Sequence, residues 1–210
     1  MYLNTGALNT DSFTNTVFKA FATAIIPNTP QHDLKLGTIQ YFGASDLLIH
    51  EYIIWTLDHS ISLINNTNYS LSRQTAELLE ISAHQLVLNS GNLQPLNLYK
   101  IPNEGIFSSL SPEDRLRSVT LLEHLAVKPA DIPYPFNQNP RFILPVIDLL
   151  NRLVMFGFYS EWSGYGRTRL YPPNYRELEG FPISWIQVKY PGPSKGYHAF
   201  RGYLVDQCIE

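Results

Sequence analysis

The chain has 210 residues, 44% of them hydrophobic and 16% charged, which suits one sizeable folded core rather than a disordered segment. A formal charge of -3 gives no whole-chain attraction to nucleic acid. The one cysteine, Cys208, excludes an internal disulfide framework and a multi-cysteine metal site. Met1 to Asn9 is polar and carries neither an apolar leader nor a twin arginine, so the chain is expected to be cytoplasmic as encoded, or exported together with a partner. It has no uninterrupted apolar run near the roughly 18 residues a membrane span needs, so no direct span is expected.

In chain order, Thr10 or Asp11 is placed to cap a first helix reaching Ile25, with Phe13, Val17, Phe18, Phe21 and Ile25 on one face. Pro27 and Pro30 end it, and Leu34 to Phe42 reads as turn-rich or weakly helical. Gly43 and Ser45 open a second helix toward Leu63, striped by Leu47, Ile54, Leu57 and Ile61. Ser70 or Ser72 caps a third, which Gly91 is expected to stop. Asn92 to Leu110, with Pro95 and Pro102, reads as coil. Ser111-Pro112-Glu113-Asp114 is a strong start for a helix to about Ala126: a cap, a proline at the first position, then carboxylates favoured by the helix dipole. After the proline-rich Lys128 to Asn139, a last long helix begins between Pro140 and Pro145. Ile183 to Val188 is expected as a short strand or extended arm.

The expected fold is mainly α: about five helices in an irregular bundle, with a long Gly/Pro/aromatic-rich and largely non-helical C-terminal segment. Residues 1–160 form the helical body and 161–210 an irregular segment packed on it, one domain overall. From Phe156 to Tyr203 the chain holds thirteen Phe, Tyr and Trp residues and seven of its 12 glycines. Aromatics bury large areas at low entropic cost, and glycines allow backbone geometry other residues resist. Local cations also outnumber local anions there, a composition that suits a protein partner or an anionic group better than a duplex.

Chemical motifs are sparse. Asp46, His50, Glu51 and His59 form the densest polar cluster, the basis of an alternative reading as a stand-alone helical enzyme or a ligand- or metal-binding protein. The His-Glu-x-x-His pattern fails because position 54 is Ile, and the paired Glu-x-x-His of a carboxylate-bridged di-iron bundle does not occur. The sequence holds neither a Gly-x-Ser-x-Gly elbow nor a phosphate-binding Gly-x-x-x-x-Gly-Lys. No catalytic residue is assigned.

Several runs occur in a distinctive order: Ala24-Ile25-Ile26-Pro27, then Leu110 to Asp114, Gly157-Phe158-Tyr159, Gly164-Tyr165-Gly166, Trp185 and Tyr190-Pro191-Gly192. This order resembles the gluconate 2-dehydrogenase subunit 3 family, over most of the chain but densely only from about Leu149 to Tyr203. The resemblance implies a small, non-catalytic subunit without its own cofactor. Such a subunit binds the large subunit of a flavoprotein dehydrogenase acting on sugars or sugar acids, which carries FAD, and supports its folding, maturation or export. On that reading Trp162, Tyr165, Arg167, Trp185, Tyr190 and Tyr197 shape the partner-facing surface, and Gly157, Gly164, Gly166 and Gly192 set backbone geometry.

Overall fold

The structure is a computed structural model that describes residues 11–61 and 70–192. The fold is mainly α, with no strand among the described residues. The central helix, α1 (Ser12–Ile25), starts where the Asp11 carboxylate accepts the Thr14 amide at 2.7 Å. Its buried face carries the fully enclosed Phe18 and Phe21. It packs against α2 (Ile49–Thr56), α3 (Leu71–Leu88), α4 (Ile101–Ser109) and α5 (Pro112–Glu123). The last long helix, α6 (Ile143–Tyr159), packs on α2 and α5, and a short helix, α7 (Ile183–Gln187), meets α6.

Helices with a local cap form where the sequence places them. Ser70 accepts the Arg73 amide to start α3, and Ser111 accepts the Asp114 amide to start α5. Leu34 to Phe42 is turn-rich as expected, with a single helical turn at Asp33–Leu36 and a 3-10 turn at Thr38–Tyr41.

Four local features differ from the expectation. The second helix starts at Ile49 rather than Gly43 or Ser45, because Leu48 takes a left-handed φ of 56° after a turn in which Asp46 accepts the Gly43 amide at 2.8 Å. It then widens into a π-helical turn, Leu57–Ile61. At the end of α3, Ser90 rather than Gly91 takes the left-handed conformation (φ 51°), and the Gly91 amide closes back on Leu86 O at 2.9 Å. Asn92 to Leu110 is not all coil, since it contains α4, kinked at Gly105. The Glu80 carboxylate of α3 accepts the amides of Ile106 and Phe107 at 2.6 and 2.9 Å, a cap supplied from across the fold. Ile183–Gln187 is a helical turn rather than a strand, entered from Pro182, whose carbonyl accepts the Trp185 amide at 3.0 Å.

The stretch Pro140–Tyr159 spans 20 residues and contains an 18-residue window of mean hydropathy 1.6, long and apolar enough by composition to cross a membrane. In this fold one face of it is core: Ile143, Val146, Ile147, Leu150 and Val154 are buried. Gly157 lets α6 approach α2 closely, because a Cβ there would lie 2.7 Å from Tyr52 Cδ1 and 3.0 Å from Ile49 Cγ2.

Candidate functional site

After α6 the chain turns through Ser160 into a 3-10 segment, Trp162–Thr168, broken at Gly166, whose φ of 49° favours glycine. The segment is clamped by the run that follows it, Glu177 to Gly180. Gly164 O accepts the amides of Glu179 and Gly180 at 2.9 and 3.1 Å, and Thr168 exchanges hydrogen bonds with the Glu177 backbone at 3.0 Å. Arg169 ties it to α2 by an ion pair with Glu51 at 2.6 Å, largely shielded from solvent.

These anchors draw aromatic rings around Arg176. Its guanidinium carbon lies 4.3 Å from the centre of the Trp55 ring, 5.3 Å from Trp162 and 5.9 Å from Tyr165. Its Nε donates to Tyr171 O at 2.9 Å, while its Nη2 is buried without a hydrogen-bond partner among the described residues. Among the described residues no carboxylate pairs with it, and desolvation lowers its pKa from the ordinary arginine value. Arg176 lines a recess of about 490 Å³ together with Tyr52, Phe156, Glu161, Tyr165 and Trp185. A second recess of about 600 Å³, on the side of Arg152 and Met155, shares Phe156 and Tyr159 with the first. Those two rings form an apolar ridge between the recesses, 68% and 56% exposed.

The sequence-predicted partner residues divide. Trp162 is a core residue: it is 1% exposed, packs edge-on against Tyr52 at 5.2 Å, and donates its indole N–H to Leu48 O at 3.0 Å. Its ring therefore offers no free surface to a partner. Tyr165 is half-buried and spends its hydroxyl on Glu161 at 2.7 Å. The Arg167 side chain is 93% exposed and only loosely paired with Glu179, at 3.6 Å. Trp185 is half-buried, edge-on to Phe181 and Tyr190, and Tyr190 is exposed. Tyr197 lies outside the described residues. Gly164 and Gly192 are both buried, Gly164 against Gly180 and Pro182, and Gly192 against Phe181. The exposed Met155, Phe156 and Tyr159 are not among the partner-facing residues expected from the sequence. Their signal is a second apolar stripe on the last turns of α6, opposite the core stripe.

The polar cluster of α2 does not converge. Asp46 serves the Gly43 turn, Glu51 holds Arg169, and His59 lies against the Trp55 ring at 4.9 Å with its Nδ1 bonded to Trp55 O. No three His, Cys, Asp or Glu side chains gather into a metal-holding group among the described residues. His50 is 4% exposed, its Nδ1 has no hydrogen-bond partner among the described residues, and burial lowers its pKa to about 4; Glu51 opposes that shift and Lys19 and Arg169 add to it. Because the unfolded histidine takes up a proton near pH 6.5 and the folded one only near pH 4, the unfolded state binds more protons in between. Stability is thus lost as pH falls through that window, by up to about 3 kcal/mol from this group. Urea titrations of wild type and His50→Leu at pH 7 and pH 4.5 check it, and the wild type should show the larger acid loss.

No family model, curated protein or solved structure matches the chain.

Proposed function

We propose that the chain is a non-catalytic accessory subunit of the gluconate 2-dehydrogenase subunit 3 type. Its partner is the large subunit of an FAD-dependent sugar or sugar-acid dehydrogenase, whose folding, maturation or export it supports. The observation that carries the partner-binding part is the exposed ridge of Phe156 and Tyr159 between two recesses. Large rings left in water on an ordered helix, beside a tryptophan and an arginine, have the composition of an interface centre. The kind of partner comes from the ordered motifs, dense from Leu149 onward, that resemble the family.

On this account the helical body carries one rigid face. The ion pair Arg169–Glu51 and the Trp162 anchor fix the turn after α6, so the ridge is held ready before binding. Preorganisation of this kind reduces the ordering cost of association. The test is to recover the tagged full-length chain from its native host and identify what accompanies it. The expected result is a polypeptide that releases FAD on denaturation. A chain recovered alone, or only with flavin-free proteins, overturns the proposal.

A further inference from the structure

The recess around Arg176 holds two charged side chains in unequal states. Glu161 is engaged by the Tyr165 hydroxyl at 2.7 Å. Arg176 is held among three aromatic faces, with one nitrogen bonded to a backbone carbonyl, another buried without a partner, and no carboxylate within ion-pair distance among the described residues. A half-buried cation without a counter-ion has given up hydration and regained only the ring faces, so an anion arriving there is favoured more than at an exposed arginine. The walls are mostly aromatic, and across the Phe156–Tyr159 ridge the recess adjoins its neighbour beside Met155 and Arg152. That shape suits an extended chain more than a compact small molecule. A single guanidinium with Glu161 on the same wall also suits a monoanion better than a dianionic phosphate, which would meet the carboxylate without a second cation.

We infer that this groove recognises an extended apolar segment of a protein partner, with an aspartate or glutamate of that segment, or its C-terminal carboxylate, placed at Arg176. The partner's rings or prolines lie along Phe156, Tyr159 and Trp185, and the carboxylate sets the register. This rests on the partner-binding reading of the face, but it specifies the chemistry and does not require the partner to carry flavin.

The probe is a display library of random peptides panned on the full-length chain, with counter-selection on its Arg176→Gln variant. Enriched peptides should share an acidic residue or a free C-terminal carboxylate beside aromatic, proline or aliphatic residues. Synthetic copies should lose roughly tenfold or more in affinity when that carboxylate becomes an amide. Because Arg176→Gln could disturb the ring cluster, Phe156→Glu provides the independent arm: it lies on an exposed position and should also weaken binding roughly tenfold, by repelling the carboxylate and removing the ridge. Three results each overturn the inference: peptides enriched without a carboxylate, no enrichment over the Arg176→Gln protein, or unchanged affinity in Phe156→Glu. So would a concentration-dependent dimer of the chain alone that Phe156→Glu dissolves, which assigns the groove to a second copy. A flavoprotein co-purifying while panning fails would leave the accessory-subunit proposal standing and sink only this inference.

Discussion

Replacing Trp162 by alanine should lower the unfolding free energy by about 3–5 kcal/mol, the range for emptying a fully buried large aromatic site. The ring is 1% exposed, fills the angle between α2 and the turn after α6, and carries one face of the Arg176 cluster. Its removal also leaves Leu48 O without the indole donor, at a residue already held in a left-handed conformation. In a protein of this size the loss corresponds to a fall in melting temperature of roughly 10 °C, which differential scanning calorimetry reads directly. A change of only a degree or two would mean that the ring is not core. Trp162→Phe, which keeps most of the apolar volume but not the N–H, should recover more than half of the loss.

The second large effect belongs to Arg115 on α5. It is buried, and its guanidinium donates to three backbone carbonyls: Phe107 O at 3.2 Å, Ser108 O at 2.8 Å and Ala20 O at 3.2 Å. One side chain thus closes the end of α4 and the middle of α1 onto α5. Arg115→Met keeps much of the apolar stem but strips those acceptors of their donor, and should cost about 3 kcal/mol. Arg115→Lys should rescue little, because one ammonium on a flexible stem cannot serve three acceptors arranged for a planar fork. Chemical denaturation of both variants checks this, and full rescue by lysine would show that charge alone matters there.

The legible parts of this fold are those whose cause is local in sequence. Asp11, Ser70 and Ser111 each cap the helix that follows within three residues, so α1, α3 and α5 start where a sequence reader puts them. The apolar periodicity of Ile143 to Val154 likewise gives α6. Where the cause is distant, the reading fails. The cap that allows α4 is Glu80, on another helix, so Asn92 to Leu110 shows only its prolines and glycine. The late start of α2 comes from the left-handed Leu48, a conformation leucine rarely favours and one that the Trp162 indole supports from far along the chain.

The site was legible in composition and not in orientation. The Gly/aromatic stretch after α6 is where the ring cluster forms, but sequence could not say which rings turn inward. Trp162 goes to the core and Phe156, six residues earlier, to solvent, a division set by the helix phase of α6 and by the turn at Ser160. Nor could it show that the α2 polar cluster disperses, since Glu51 is claimed by Arg169 on a segment far away in sequence.

We propose that the Phe156–Tyr159 ridge meets a flavoprotein while Trp162 supports it from within. The most direct measurement is recovery of flavin with the tagged chain from its native host, comparing wild type with Phe156→Glu. Wild type should bring down an FAD-bearing polypeptide, and Phe156→Glu should lose about tenfold or more of it, with a melting temperature changed by no more than about 2 °C. Equal recovery of flavin by both proteins, or none by either, would contradict it.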